Sequence, residues 1–221
     1  MATGLVDELP DVPGVAERWG RDVLHCPYCH GCEIRDQSLG VLATGPMAEH
    51  QALLFRQWSA DATLFRHTAP DLGDEQREEL AARGIEVVDG QVTALEVTDD
   101  RLTGVRLDSG QLIPRQVVVV MPRFVARADV LITLGLEPTE RELAGHVIGS
   151  SSPADPGGAT PVPGVWVTGN VSDPLGGVIN AAASGLSTAA ALSADLIAED
   201  TRQAVDAYRH ERQLATHEAG E

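Results

Sequence analysis

The three cysteines of this 221-residue chain all lie within eight consecutive residues, 25–32. Cys26 and Cys29 form a Cys-x-x-Cys pair, a spacing that lets two thiols lie one helical turn apart and close a small disulfide. Because Pro27 favours the first turn of a helix, we expect Cys26 near a helix N-terminus, where the dipole stabilises a thiolate. A histidine flanks the pair on each side and is a candidate to move protons. The residues favour thiol–disulfide exchange.

Other chemistries fit the same residues. A zinc site could use the three cysteines and a histidine, although the second, distant ligand pair typical of zinc sites is missing. The string Cys-Pro-Tyr-Cys-His matches the attachment pattern of c-type haem. Cys-Pro-Tyr-Cys also occurs in glutaredoxins, which place a strand directly before it, whereas we expect a loop here. An inert cysteine pair is the remaining alternative.

A second motif lies between an apolar segment and an amphipathic one, Ala43-Thr44-Gly45-Pro46-Met47-Ala48. A dinucleotide-binding turn belongs at this position, with Gly45 for close approach of a pyrophosphate and Ala48 for helix–strand packing. Alanine replaces the usual first glycine and Pro46 removes a backbone donor, so an ordinary structural turn stays open. Arg66 and His67 follow the next strand, where a positive group can meet a 2′-phosphate. A solvated loop end is the alternative interpretation.

The third motif is an apolar strand that runs into Gly169-Asn170-Val171 and then into an Ala-rich helix. This arrangement places backbone N–H groups and a polar side chain near a helix N-terminus, which suits a phosphate or a polyol. Without the other two motifs it would be an ordinary strand–loop–helix connection.

Charge and composition limit the classes of function. The net charge of −17, with 16 basic and 33 acidic side chains and no lysine, argues against nonspecific binding to nucleic acid. The N-terminus lacks the features of a signal peptide, so we expect a cytoplasmic protein in which a Cys-x-x-Cys pair is catalytic or metal-binding. The uncharged stretch 176–194 is rich in alanine, glycine and serine. A buried helix of a soluble domain therefore fits it better than a membrane span.

The elements that position these motifs alternate between strand and helix. The apolar patterns predict strands at 39–44, 63–65, 85–88, 92–98, 102–107, 117–121, 130–134 and 165–168. Helices are predicted at 47–58, 74–83 and 178–198, with 1–22 a connection and 201–221 a charged, helix-compatible tail. The fold class is α/β, with one Rossmann-like three-layer unit. The segment 124–200 has too little material for a sheet of its own.

In this order and spacing, the three motifs resemble the thioredoxin-reductase-like flavoproteins, class II pyridine nucleotide-disulfide oxidoreductases that include dithiol oxidases of sulfur-containing natural products. The resemblance covers essentially residues 1–200. It implies FAD and NAD(P)H as cofactors and no metal. It also implies a flavin-linked disulfide reductase or dithiol oxidase that acts on a small disulfide, a dithiol or a thioredoxin-like protein. A homodimer without a nucleic-acid or membrane partner is the assembly that it suggests.

The resemblance also assigns roles to single residues. In the redox pair, Cys26 would attack the substrate, Cys29 would face the flavin and His30 would carry the proton. The residues expected at the nicotinamide nucleotide are Gly45, Ala48, Arg66 and His67. Those expected at the flavin are Gly169, Asn170 and Val171.

Departures from the family pattern are equally informative. The Gly-rich βαβ segment that opens the family's flavin domain is missing, and Ala2-Thr3-Gly4 resembles the motif that closes it. The expected organisation is a flavin-domain remnant and linker at 1–21, an NAD(P)-binding domain with the cysteine pair at 22–123, the C-terminal part of the flavin domain at 124–200, and the tail. We therefore expect weak FAD binding. A truncated, non-catalytic remnant, or half of a split enzyme that needs a partner chain, is the alternative.

Overall fold

The computed structural model describes residues 1–143 and 145–218, which form two compact units. The first unit is Asp7–Arg123, and the second joins Met1–Val6 to the chain from Phe124 onward. Residues 7–21 thus belong to the same unit as the cysteine pair. Which cofactor each unit binds stays a prediction.

A five-stranded parallel sheet forms the centre of the first unit. Its strands, in spatial order, are β2 (Val23–Leu24), β9 (Val117–Val119), β3 (Leu39–Leu42), β4 (Ala62–Phe65) and β5 (Glu86–Val88). Every neighbouring pair is parallel, and Val41 of β3 lies opposite Leu64 on one side and Val119 on the other. Buried parallel strands appear in a sequence as continuous apolar runs, which is why β3, β4 and β9 were predictable, whereas the two-residue strand β2 was not predicted.

Two other layers cover this sheet. On one face, Val41, Leu64 and Val119 pack with residues of the helices α3 (Ala48–Phe55) and α4 (Asp74–Ala82). On the other face, Leu42 and Phe65 pack with an antiparallel sheet. That sheet contains β6 (Val92–Thr98), β7 (Arg101–Leu107) and β8 (Leu112–Ile113). Successive residues of a strand point to opposite faces, so the alternation assigns each to a layer. The prediction of an α/β, Rossmann-like three-layer unit is confirmed.

The prediction that residues 1–22 form only a connection is wrong. They contain the strand β1 (Leu5–Glu8) and the helix α1 (Val15–Arg18). The buried guanidinium of Arg18 forms ion pairs with Asp22 and with Asp100 of the β6–β7 turn, each at 2.7 Å. Because this network joins residues far apart in the chain, local turn signals could not reveal it. The expected loop before Cys26 is likewise wrong, since β2 ends at Leu24.

The second unit contains a four-stranded mixed sheet. Its strands, in spatial order, are β1, β10 (Arg123–Ala126), β12 (His146–Ser151) and β11 (Thr139–Leu143). β10 and β12 are parallel, whereas β11 and β12 are antiparallel. The prediction that the segment 124–200 has too little material for a sheet therefore missed three strands.

Two further strand predictions in this unit are wrong. The apolar run 130–134 forms a helix, α5 (Asp129–Thr133), because a short apolar run has no period that separates strand from buried helix. The segment 165–168 contributes only an isolated bridge between Trp166 and Ala159. It leads into a 3₁₀ turn, Gly169–Val171.

The predicted Ala-rich helix is present and continues into the predicted charged tail as one element, α6 (Val178–Glu218). The expectation that its first half is buried is wrong, since Val178, Ile179 and Leu186 are 90%, 78% and 76% exposed. Within the described residues, Val178–Leu214 is long and apolar enough to cross a membrane by length and composition alone, and 6% of its most apolar window is buried. That window holds at most two Asp, Glu, Lys or Arg residues, a composition that also occurs in core helices of soluble proteins.

The Arg18 network predicts a specific dependence of stability on pH. Hydrogen bonds from Arg21 and then Arg18 lower the pKa of Asp100 from 3.8 to about 2. A depressed folded-state pKa adds stability above the unfolded pKa, and this is lost as pH falls from about 4 to about 2. We expect the D100N variant to lose stability at pH 6 and to show a flatter decline of its urea midpoint between pH 5 and pH 2.

The control for this prediction is D99N. Asp99 occupies the neighbouring position of the same turn and has a similar left-handed backbone, with φ of 49° against 58° for Asp100. Its pH profile should follow that of the wild type. Identical profiles for D100N and the wild type would contradict the role given to Asp100.

Candidate functional site

The candidate residues of the first unit lie where the parallel strands end. Cys26 follows β2, Gly45 follows β3, and Arg66 follows β4. Parallel strands present their carboxyl ends at one edge, and in open α/β sheets ligands bind outside that edge. The sheet therefore places the cysteine pair and the predicted nucleotide turn at the same edge of one unit.

The cysteine pair spans a single helical turn, α2 (Pro27–His30). Cys26 caps it in an extended conformation, and Pro27 occupies the first turn, as its fixed φ favours. The His30 N–H donates to the Cys26 carbonyl at 3.2 Å, and the Gly31 N–H donates to the Pro27 carbonyl at 2.8 Å. This turn brings the second thiol back beside the first.

Both sulfurs are free thiols, and they interact with each other. The neighbouring Cys26 thiol, followed by desolvation, raises the pKa of the Cys29 thiol. Cys26 is half-buried and Cys29 is exposed. Cys26 caps the first turn of α2, where the N-terminus of the helix favours a thiolate.

The two flanking histidines have different environments. His25 stacks on Trp19, with ring centroids 5.5 Å apart and planes at 25°, and burial lowers its pKa. It is thus neutral at pH 7 and supplies no positive charge to the thiols. The Nδ1 atom of His30 lies 3.0 Å from Glu33 Oε2. Because a carboxylate only accepts, Nδ1 carries the hydrogen and Nε2 is left to exchange a proton.

Glu33 was missed by the sequence reasoning, although the spacing of three between His30 and Glu33 is a recognisable signal on a helix. A second missed contact fixes the turn itself. A Cβ atom on Gly31 would lie 2.2 Å from Trp58 Cε2 and 2.4 Å from the Pro27 carbonyl oxygen. The Trp58 indole therefore packs directly against the turn that carries the cysteines.

The zinc alternative has no support in the geometry. Within residues 1–143 and 145–218, no group of three or more histidine, cysteine, aspartate or glutamate side chains is close enough to hold a metal ion. The third thiol, Cys32, lies just beyond α2 and is exposed.

The predicted nucleotide turn has room for a ligand. An added Cβ on Gly45 would meet no described atom within 4 Å, and α3 begins at Ala48 immediately after the turn. Buried Gln51 of α3 donates through Nε2 to the Val120 carbonyl at 3.0 Å, which fixes the helix against the sheet edge. Gly45, Ala48 and Arg66 line one shallow depression, with Asp71 and Gln76 at its side.

The two residues expected at a 2′-phosphate are both engaged within the protein. Arg66 donates from Nε to Asp89 Oδ1 at 2.6 Å and from Nη1 to Asp71 Oδ1. His67 accepts the Val92 N–H at Nδ1, at 3.1 Å, and burial lowers the pKa of its ring. His67 is therefore neutral at pH 7 and does not line the depression. The flanking aspartates Asp71 and Asp89 were not visible as partners in the sequence.

The third motif forms a tight turn in the second unit. Gly169 has φ of +79°, a left-handed conformation that favours glycine. Its N–H donates to Ser184 Oγ of α6 at 3.1 Å, and Thr168 Oγ1 lies 2.9 Å from the same oxygen. Asn170 is beside the N-terminal strand, since a Cβ on Gly4 would lie 3.8 Å from its Oδ1. Val171 is fully buried beneath the turn.

Two buried hydroxyls accompany this turn and lack a partner among the described residues, Thr3 Oγ1 and Ser152 Oγ. Thr3 directly precedes Gly4, and the Ser152 N–H donates to the Val171 carbonyl at 2.8 Å. Buried polar atoms in folded proteins are nearly always hydrogen-bonded, so an orphaned pair indicates a polar ligand. Asn170 and these hydroxyls fit the polar part of a flavin nucleotide. Sequence reasoning had not singled out the hydroxyls.

The structure is an α/β fold that carries a Cys-x-x-Cys turn at the carboxyl edge of a parallel sheet, and known proteins share this fold. The chain matches no protein-family model. It is 30% identical over 213 residues to a protein named "Thioredoxin reductase sirT" from Leptosphaeria maculans, covering 90% of this chain and 63% of that protein. The crystal structure of HlmI is 50% identical with a TM-score of 0.80, covering 93% of this chain and 62% of HlmI.

A bacterial structure gives the same result. The oxidoreductase from Agrobacterium tumefaciens is 32% identical with a TM-score of 0.78, covering 89% of this chain and 63% of that one. Over about 90% of its length the chain is therefore similar to a protein named thioredoxin reductase and to solved oxidoreductase structures, which confirms the resemblance drawn from the three motifs. It spans slightly less than two thirds of the length of the relatives it matches.

The packing of Trp58 on Gly31 generates a prediction for the redox turn. The G31A variant places a methyl group against the indole and a backbone carbonyl, and overpacking of this kind costs roughly 1–3 kcal/mol. We expect a lower urea midpoint and a changed rate of alkylation of Cys26. G45A is the matched control, because its added methyl meets no described atom within 4 Å. Equal stability of G31A and G45A would contradict the packing described here.

Proposed function

We propose that this chain carries the thiol–disulfide machinery of a flavin-dependent disulfide reductase or dithiol oxidase. The observation that supports this most strongly is geometric: Cys26 and Cys29 are free thiols on one helical turn that directly follows β2 at the carboxyl edge of the parallel sheet. A proton-exchanging histidine stands at the end of the same turn.

In the reductive direction, the Cys26 thiolate attacks one sulfur of a substrate disulfide. The substrate S–S bond breaks, a mixed disulfide forms on Cys26, and the departing sulfur takes up a proton. Cys29, having lost its proton, then attacks the Cys26 sulfur, which releases the second substrate thiol and forms the Cys26–Cys29 disulfide. Two electrons and two protons have moved to the substrate. The reverse sequence oxidises a dithiol to a disulfide.

His30 is proposed as the proton carrier of this exchange. Glu33 holds the Nδ1–H of His30, so that Nε2 can accept the Cys29 proton and return one to a departing thiolate. His25 is less suited to this role, because its ring stacks on Trp19 and burial lowers its pKa, which makes it a weaker base. The substrate is a small disulfide, a dithiol or a thioredoxin-like protein.

FAD is proposed to bind at the turn Gly169–Val171. Asn170, the orphaned hydroxyls of Thr3 and Ser152 and the backbone of the turn would hold its ribityl or phosphate region. A bound flavin supplies the two-electron acceptor or donor that a dithiol–disulfide pair requires. The turn at Gly45 and Ala48 is proposed as the site of a nicotinamide nucleotide. A cytoplasmic location is part of the same proposal.

A second candidate is that the chain functions only together with another polypeptide segment that completes the flavin domain. One observation favours it. The face of α6 that carries Val178, Ile179 and Leu186 is apolar and exposed, whereas the opposite face packs through Ser184 and Thr188. Monomeric proteins rarely leave such a face uncovered. The chain covers under two thirds of the length of the relatives it matches.

The attack order is tested by trapping the mixed disulfide with an aromatic disulfide in a C32S background. C29S should accumulate a stable adduct on Cys26, because no second thiol resolves it. C26S should give an adduct at least about tenfold more slowly, because Cys26, and not Cys29, caps the N-terminus of α2, where a thiolate is favoured. The adduct is measured by intact mass and located by peptide mapping. Faster trapping by C26S than by C29S would reverse the assigned roles.

The flavin proposal is tested by the visible absorption spectrum after addition of FAD and removal of the excess. We expect sub-stoichiometric FAD, because the 221 residues contain no Gly-x-Gly-x-x-Gly turn for the adenosine end. The N170A variant should retain less FAD than the wild type, and D99N should match the wild type. Full retention that bleaches with a dithiol would refute the requirement for a second segment.

A further inference from the structure

We propose that the Asp71–Arg66–Asp89 cluster excludes a 2′-phosphate from the nucleotide site, so that the site selects nucleotides with a free ribose 2′-hydroxyl. This inference rests on the proposed nucleotide site and sets its cofactor specificity. It departs from the role that the family resemblance gives to Arg66 and His67, which is to receive the phosphate of NADPH.

The cluster stands where the ribose end of a dinucleotide is bound in Rossmann-like sheets. Gly45 follows the central strand β3, Arg66 follows the neighbouring strand β4, and Asp89 follows β5. In this arrangement the turn after the first strand approaches the pyrophosphate, and an acidic residue near the next strand end accepts the ribose 2′-hydroxyl. Arg66 and Asp71 line the same depression as Gly45.

The charges of the cluster oppose a phosphate. Arg66 contributes one positive charge, and the two aspartates that it contacts contribute two negative charges, so their sum is −1. A phosphate monoester brings about −1.5 to −2 at pH 7. Arg66 is the only basic side chain among the described residues that line the depression. Neutral His67, whose Nδ1 is occupied by the Val92 N–H, adds no positive charge.

The other polar side chain that lines the depression, Gln76, is also engaged in hydrogen bonds within the protein. Gln76 donates through Nε2 to Glu49 at 3.0 Å and accepts the Gly73 N–H at Oε1 at 2.9 Å. Pro46 has no N–H to offer at the turn. By contrast, the Asp71 side chain is 84% exposed and can accept hydrogen bonds from ribose hydroxyls while it still contacts Arg66. The cluster therefore suits a diol and opposes a second phosphate.

The test compares ADP-ribose with 2′-phospho-ADP-ribose by isothermal titration calorimetry, because neither molecule undergoes redox chemistry. The wild-type chain should bind ADP-ribose at least about tenfold more tightly than the phosphorylated form. That preference should shrink as salt rises from 20 to 300 mM, since the cluster is partly exposed. The variant D71N/D89N frees Arg66 and should bind the phosphorylated form at least about tenfold more tightly than the wild type does.

The control is D11N/D99N, which removes the same two charges at exposed positions of the same unit. Its preference should equal that of the wild type, and thermal melts should show that every variant is folded. The single variant D71N gives an intermediate result if the double variant does not fold. The proposal is overturned if the wild type binds the phosphorylated form equally or more tightly, if D71N/D89N leaves the preference unchanged, or if neither compound binds. Trapping of the mixed disulfide on Cys26 tests the proposed thiol–disulfide function, and its result does not depend on the outcome of these nucleotide-binding measurements.

Discussion

The parallel pairing of the five-stranded sheet is the constraint on which the first unit's site depends. Parallel strands must all end at one edge, so the residues that follow β2, β3, β4 and β5 lie along a single line. The register of these strands is fixed by burial on both faces. A slip of one residue in β3 would exchange Val41 and Leu42 between the helical layer and the antiparallel layer. The positions of Cys26, Gly45 and Arg66 follow from that register.

Along this edge, the local electrostatics change from one end to the other. At the β2 end, burial lowers the pKa of His25, and Cys26 and Cys29 are free thiols on one helical turn. At the β4 and β5 ends, carboxylates outnumber the one arginine they surround. Neither environment follows from the net charge of −17, because each depends on which side chains the fold brings into contact.

Much of the fold could be predicted from the sequence where a local pattern determined it. The apolar runs at 39–44 and 117–121 and the helical spacing at 47–58 correspond to elements of the structure. Predictions failed where the cause is tertiary. The helix α1 depends on an ion pair between Arg18 and Asp100, 82 residues apart, and short apolar runs such as 130–134 carry no distinguishing period.

The candidate site likewise combines features that a local sequence pattern predicts with contacts that only the fold creates. The Cys-x-x-Cys spacing and Pro27 predict the turn on which the thiols lie, because both act within one helical turn. The contacts of Trp58 with Gly31, of Asp89 with Arg66, and of Asn170 with Gly4 join distant parts of each unit's sequence. No residue spacing in the sequence predicts these contacts, so the roles of the surrounding residues became visible only in the structure.

The central claim is that Cys26 and Cys29 form a reversible redox pair. The most direct test is to equilibrate the chain in glutathione buffers of increasing potential, quench with an alkylating agent and map each thiol by mass spectrometry. We expect a single two-electron transition that links Cys26 to Cys29 while Cys32 stays open to alkylation throughout. A disulfide that uses Cys32, or cysteines that remain thiols over the whole range, would contradict it.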